Sequence, residues 1–124
     1  MIWLDRLAGK TTVRQAIGAA GEEQALVYLQ GQGLRLVERN FLCKTGEIDL
    51  IMRDGDMLVF VEVRARADQR HGGAAASITP AKQRCLIRAA QRYLQRFKVL
   101  PACRFDVIAI DDGALSWLKN AIQA

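Results

Sequence analysis

Acidic side chains interrupt apolar sequence twice between Gly46 and Arg66, in GEIDLIMRDGDMLVFVEVRAR. Glu47 and Asp49 alternate with Ile48, Leu50 and Met52, and Glu62 stands between Val61 and Val63 at the end of the apolar stretch Met57 to Val61. A carboxylate in such surroundings costs desolvation free energy unless it is paired, hydrogen-bonded or bound to a metal. Hard divalent ions such as Mg²⁺ take oxygen ligands, often one or two carboxylates completed by waters and substrate phosphate. Asp49 and Glu62 would supply such a pair. A metal ion held there would polarise a phosphodiester and lower the pKa of a bound water. Arg64, on the same strand face as Glu62, would stabilise negative charge in the transition state. Mutual neutralisation of Glu62 and Arg64 as a plain ion pair is the alternative.

Both readings depend on how two strands are registered. Side chains alternate faces along a strand, so Glu47, Asp49, Ile51 and Arg53 share one face of the first run, and Leu58, Phe60, Glu62, Arg64 and Arg66 share one face of the second. Asp54-Gly55 between two alternating runs predicts a hairpin. With a loop of Asp54-Gly55, Asp49 faces Phe60 and Glu62 faces Glu47. With a loop of Gly55-Asp56, Asp49 faces Glu62 directly. Either even-length loop places Asp49 and Glu62 on one face as direct or diagonal neighbours, and a three-residue loop separates them.

The elements around the hairpin follow from periodicity. Residues 1–11 show no clear period and read as an arm, with a single domain over 12–124. From Val13 to Gln30, Ile17, Ala20, Ala25, Tyr28 and Leu29 recur at helical intervals, with Thr11 or Thr12 as N-cap and Gly31/Gly33 as the stop. Glu22 and Glu23 fall inside this helix, where spacing alone makes them a solvated face. Leu34 to Leu42 alternates as a short strand. Residues 67–78 are small, polar and glycine-containing, hence a loop; the only histidine, His71, lies there and reads as exposed. Thr79-Pro80 marks a helix start, running to about Phe97 with Leu86, Ala89, Ala90, Tyr93 and Phe97 inward. Cys103 to Ile110 reads as a strand with Val107, Ile108 and Ile110 in the core, Asp111-Asp112-Gly113 as a turn and Ala114 to Leu118 as an edge strand. The order helix, three strands, helix, one or two strands predicts an α/β fold, one mixed sheet flanked by helices.

Composition narrows the function classes. An apolar fraction of 51% and a charged fraction of 25% are ordinary for a globular protein. No apolar run approaches the ~20 residues that span a bilayer, and Asp5 and Arg6 interrupt what would be the apolar region of a signal peptide, so a cytoplasmic location is expected. Three cysteines without CxxC spacing exclude a disulfide framework and a thiolate zinc site; Cys85 and Cys103 are expected as small buried hydrophobes. The formal charge of +5 is unevenly spread. Glu62 to Lys98 holds nine basic residues and two acidic ones, and the rest of the chain carries a slight acidic excess. Arg84, Arg88, Arg92 and Arg96 recur every four residues on the second helix, where like charges repel by roughly 0.2–0.5 kcal/mol per pair unless carboxylates or phosphates lie beside them. A polyanionic partner suits this segment.

Asp49, followed thirteen residues later by Glu62-Val63-Arg64 after an apolar strand, resembles the core of the PD-(D/E)XK nuclease superfamily. GEEQALVYL (21–29), GEIDLIM (46–52), VFVEVRAR (59–66), ITPAKQRCL (78–86) and CRFDVIAI (103–110) together resemble the bacterial YraN-like family, over roughly residues 12–118. This family is related by fold and motif to archaeal Holliday-junction resolvases. The resemblance implies a restriction-endonuclease-like αβββαβ core, a Mg²⁺ or Mn²⁺ site at Asp49 and Glu62, and a role for Glu22, which matches the helix glutamate of resolvase-like members. It implies DNA, branched DNA included, as partner, with Arg66, Lys82, Arg84 and Arg88 tracking its backbone, and by analogy a homodimer. One departure stands out: the superfamily's motif lysine is Arg64 here. An arginine stays protonated at any reachable pH and cannot act as a general base, and Lys82 near the start of the second helix is the candidate replacement. Two other classes remain open on sequence: a non-catalytic nucleic-acid-binding module of the same fold, and a module whose basic helix meets an acidic protein.

Overall fold

A computed structural model describes residues 12–67 and 73–123. Thr12 opens the first helix, α1 (Val13–Gly31), through a capping box: its Oγ1 accepts from the Gln15 amide at 3.0 Å, and the Gln15 side chain accepts from the Thr12 amide at 2.9 Å. The helix closes in a Schellman motif, with Leu34 N–H donating to the Leu29 carbonyl and Gly33 N–H to that of Gln30. Leu29 and Leu34 then pack in the same core. The expected boundaries of α1 therefore hold to within a residue.

Three antiparallel strands follow, β1 (Arg35–Cys43), β2 (Gly46–Asp54) and β3 (Met57–Arg66). A short 3₁₀ turn (Ala75–Ser77) leads into α2 (Pro80–Leu94), then β4 (Cys103–Asp111) and β5 (Ala114–Leu118). The sheet order is β1-β2-β3-β4-β5, with β3 and β4 parallel and the other neighbours antiparallel. The expected α/β fold, an αβββαβ core with a mixed sheet flanked by helices, is thus the one observed.

The unbroken apolar run of β3 is explained by its central position, with a helix over each face. Val59, Val61 and Val63 join Leu50, Met52, Ile108 and Ile110 beneath Ala25, Leu26 and Leu29 of α1. Leu58 and Phe60 join Ile51, Phe105 and Val107 beneath Leu86, Ala89, Ala90 and Tyr93 of α2. Phe60 stacks on Phe105 and meets Tyr93 edge-on. α2 ends three residues earlier than its periodicity predicts. Beyond Leu94 the amides of Gln95, Arg96 and Phe97 reach carbonyls only three residues back, so the chain tightens; Phe97 still packs, half-buried, on the core.

Two sequence expectations need correction or fall outside view. Cys85 and Cys103 are exposed and Cys43 is half-buried, so these cysteines are not buried hydrophobes. Cys85 precedes the inward Leu86 and is turned about 100° away from it around the helix, and Cys103 stands at the entry of β4, ahead of its buried stretch. The N-terminal arm (1–11), His71 and the 68–72 part of the predicted loop lie outside the described residues. No helix among the described residues is long and apolar enough to cross a membrane.

Candidate active site

The β2–β3 hairpin settles the register. Leu50 pairs with Val61, Ile51 with Phe60 and Asp54 with Met57, so the loop is Gly55-Asp56. Gly55 takes φ +61° at the first central position, as a type II′ turn requires. Continuing that register by one step sets Asp49 opposite Glu62. The two carboxyls lie within hydrogen-bond reach of each other, and Asp49 Oδ2 accepts from the Val63 amide at 2.8 Å. Glu62 is only 8% exposed. Its Oε2 accepts from Arg64 Nη2 at 3.0 Å, so the expected Glu62–Arg64 ion pair forms as well.

Two acids facing each other in a half-dry site cannot both hold their charge cheaply. Burial, the hydrogen bond that a protonated Asp49 donates to Glu62, and the Glu62 charge push Asp49 up to about 8, against the smaller opposing effects of the Val63 amide and Arg64. Asp49 therefore carries a proton at neutral pH. Among the described residues no three His, Cys, Asp or Glu side chains converge as ligands. The donors at hand are two carboxylates, all oxygen, which fits a hard ion that keeps most of its waters.

These groups line a cleft of about 460 Å³ whose walls come from both helices. α1 contributes Glu22, placed there by Gly21: a Cβ at Gly21 would stand 2.8 Å from the Ala65 Cβ, so only glycine lets the helix lie this close to β3. Burial, then the charges of Asp49 and Glu47, raise the Glu22 pKa, while Arg39 and the Asn40 side chain oppose the rise. Glu47 is raised by burial and by Asp49. α2 contributes Lys82, so the candidate substitute for the motif lysine does reach the same cleft as Asp49, Glu62 and Arg64.

Cations collect beside the cleft and in a second groove. Arg64, Arg66 and Lys82 line an adjoining depression of about 440 Å³. Arg88 and Arg92 of α2 and Lys44 of the β1–β2 turn line a separate groove of about 710 Å³. Arg84 is exposed on α2 and lines none of the three. The arginine stripe is thus not uniform. Arg96 lies 3.8 Å over the Tyr93 ring and 3.5 Å from Glu38, which pins α2 to β1, and Arg92 Nη1 donates to Gln95.

Two residues carry site or fold geometry that sequence reasoning missed. Asn40 sits in β1 at φ +52°. With its amide nitrogen turned toward the acids, it donates to Glu22 Oε1 and Glu47 Oε1, each at 3.0 Å. An asparagine inside a strand is itself unusual, and that was the available signal. Asp106, fully buried in β4, accepts from Arg104 Nε at 3.0 Å, Trp117 Nε1 at 3.0 Å and the Asn120 amide at 2.9 Å. Arg104 also reaches Asp54 at 3.0 Å, tying the hairpin to β4. This carboxylate interrupts apolar sequence as Asp49 does, yet every bond it needs is internal.

Comparison with known proteins agrees with the motif pattern. Residues 21–110 match the model of Uncharacterised protein family UPF0102. The chain is 67% identical to the UPF0102 protein HEAR0176 of Herminiimonas arsenicoxydans over 91% of both chains. It is 66% identical to a UPF0102 protein of Janthinobacterium sp. (strain Marseille), over 91% of this chain and 92% of the relative. A UPF0102 protein of Alkalilimnicola ehrlichii is 57% identical over 86% of each. The match spans the second half of α1, which carries Glu22, the whole β2–β3 hairpin and most of β4, so this chain belongs to the bacterial UPF0102 family, the YraN-like family.

Proposed function

We propose that this protein is a divalent-cation-dependent DNA endonuclease, branched DNA among its substrates, with its chemistry in the cleft of Asp49 and Glu62. The observation that carries the reading is the direct opposition of these two carboxyls across the β2–β3 hairpin, within a cleft flanked by cations. The spacing of Asp49 and Glu62-Val63-Arg64 resembles the PD-(D/E)XK nucleases, and the αβββαβ core supports the same relationship. Asp49 and Glu62 would hold Mg²⁺ or Mn²⁺, with waters and substrate phosphate in the other positions. When bound, the ion supplies Lewis acidity toward the phosphodiester and lowers the pKa of a water.

The chain's own residues do the rest. The Val63 amide fixes one oxygen of Asp49, and Arg64 fixes one of Glu62, leaving one oxygen of each for the cation. Arg64 lines the cleft, so its guanidinium charge attracts a phosphate oxygen there. Arg64 stabilises charge and moves no proton. Lys82 adds a second cation at the cleft, and Glu22 accepts a hydrogen bond from a water there. Arg66 beside the cleft and Arg88 in the second groove track the backbone, with Arg84 adding longer-range attraction.

Cleavage of four-way, flap and duplex DNA in Mg²⁺ and Mn²⁺ tests the reading. Wild type is expected to cut at least one substrate, and Asp49→Ala and Glu62→Ala are expected to lose at least 100-fold. Equal activity in both variants contradicts the assignment. The Glu62–Arg64 ion pair, together with arginine at the lysine position, favours one second reading, a nucleic-acid-binding module without turnover. That reading predicts salt-sensitive binding and no cleavage with either ion.

A further inference from the structure

The cleft holds four carboxylates, and they are organised as two pairs of different kinds. Asp49 and Glu62 face each other directly across the β2–β3 hairpin, and a cation can bind between them. Glu22 and Glu47 are joined by an amide: one nitrogen, Asn40 Nδ2, donates to Glu22 Oε1 and to Glu47 Oε1 at 3.0 Å each. A single –NH₂ group has two hydrogens, and both are used here. The amide nitrogen therefore stands between the two carboxylates, at the point a cation bridging them would occupy.

The backbone shows that this placement is specific. Asn40 takes φ +52° within β1, a conformation uncommon for side-chain-bearing residues and most accessible to Asn, Asp and Gly. Aspartate at this position would add a further carboxylate to the four already there, and glycine would supply the conformation without the donor. Asparagine alone among the three offers a neutral donor. Asn40 is also exposed, so it lies on the solvent side from which a cation would arrive.

We infer that Asn40 is a positioning residue whose amide takes the place of a second cation at Glu22 and Glu47, restricting the cleft to one divalent ion, held by Asp49 and Glu62. This rests on the cation-site reading above and adds a stoichiometry to it. It also assigns Glu47 a role: partner of Glu22 through the amide, outside the ligand set of the ion. Removal of the amide leaves Glu22 and Glu47 facing each other uncompensated, and a second ion then relieves them.

Calorimetric titration of the whole chain with Mn²⁺ alone tests this, using wild type, Asn40→Gly, Glu47→Gln and the double variant Asn40→Gly/Glu47→Gln. Glycine keeps φ +52° accessible, and thermal melts check that each variant folds. Wild type and Glu47→Gln are expected to bind one Mn²⁺ per chain, Asn40→Gly to show a second step with stoichiometry approaching two, and the double variant to return to one. One ion in both wild type and Asn40→Gly, with affinities within twofold, overturns the role of Asn40 and leaves the Asp49–Glu62 site standing. Two ions in wild type also overturn the restriction, and no Mn²⁺ binding to wild type overturns the restriction and the cation site together.

Discussion

Asp49 is the residue on which structure and chemistry meet. Its carboxyl is held protonated by burial and by Glu62, which is a cost to the folded state as the solution becomes less acidic. The native protein keeps a proton that the unfolded chain releases above the ordinary aspartate range. Stability accordingly falls as pH rises from about 4 toward about 8, and levels beyond it. Asn at this position mimics the protonated acid: its oxygen accepts from Val63, and its amide donates to Glu62. Asp49→Asn is therefore expected to flatten this pH slope and, in metal-free buffer at pH 7, to raise stability on the order of 2 kcal/mol. Chemical denaturation between pH 4 and 8 with EDTA reads both effects. A variant less stable than wild type at pH 7 contradicts the account. Stability given up at a cluster of like charges is a usual feature of a site that waits for a ligand.

At the scale of elements, two acidic residues in apolar strands turn out to have opposite fates. Asp106 and Asp49 look alike in sequence, each an aspartate set among apolar neighbours in CRFDVIAI and GEIDLIM. Asp106 is fully matched by Arg104, Trp117 and Asn120, which join β4, β5 and the chain after it. Arg104 stands two residues before it on the same strand face, the spacing that Glu62 and Arg64 also show, but Trp117 and Asn120 lie 11 and 14 residues on, and no local pattern announces them. Asp106→Ala empties a fully buried site and leaves the half-buried Arg104 guanidinium, Trp117 Nε1 and the Asn120 amide without their shared acceptor, and is expected to cost about 3–5 kcal/mol while leaving Mn²⁺ affinity within twofold in whatever fraction stays folded. Urea titration and calorimetry on the same preparation separate the two. A large loss of Mn²⁺ affinity in folded Asp106→Ala would show that the β4 network also shapes the cleft. The register of the hairpin was nearly legible, because Asp-Gly-Asp between alternating runs leaves only a few loops. The choice between Asp54-Gly55 and Gly55-Asp56 was not, since both satisfy the same alternation, and cross-strand and tertiary packing decide it.

Across the whole molecule, the sequence carried the αβββαβ order through periodicity and the caps at Thr12, Thr79 and Gly33, each a local signal with a local cause. It carried less of the site. Lys82 and Glu22 enter the cleft because α1 and α2 converge on the hairpin, and that convergence depends on contacts such as Gly21 against Ala65. Spacing along one helix says nothing of this. The basic segment likewise resolves into distinct parts once folded: Arg96 is spent on Tyr93 and Glu38, Arg64 and Lys82 line the acidic cleft with Arg66 in the depression beside it, and Arg88 and Arg92 line a separate groove. A negative centre with positive charge beside it is the arrangement expected where a cation must be held under a polyanion.

The claim that joins these scales is that Asp49 and Glu62 together hold one divalent ion. Calorimetric titration of Mn²⁺ into wild type, Asp49→Asn and Glu62→Gln, at fixed pH and salt, measures it most directly. The account predicts saturable binding of one ion to wild type and at least a tenfold loss of affinity in each variant, with folding intact. Wild-type affinity retained in both variants would contradict it.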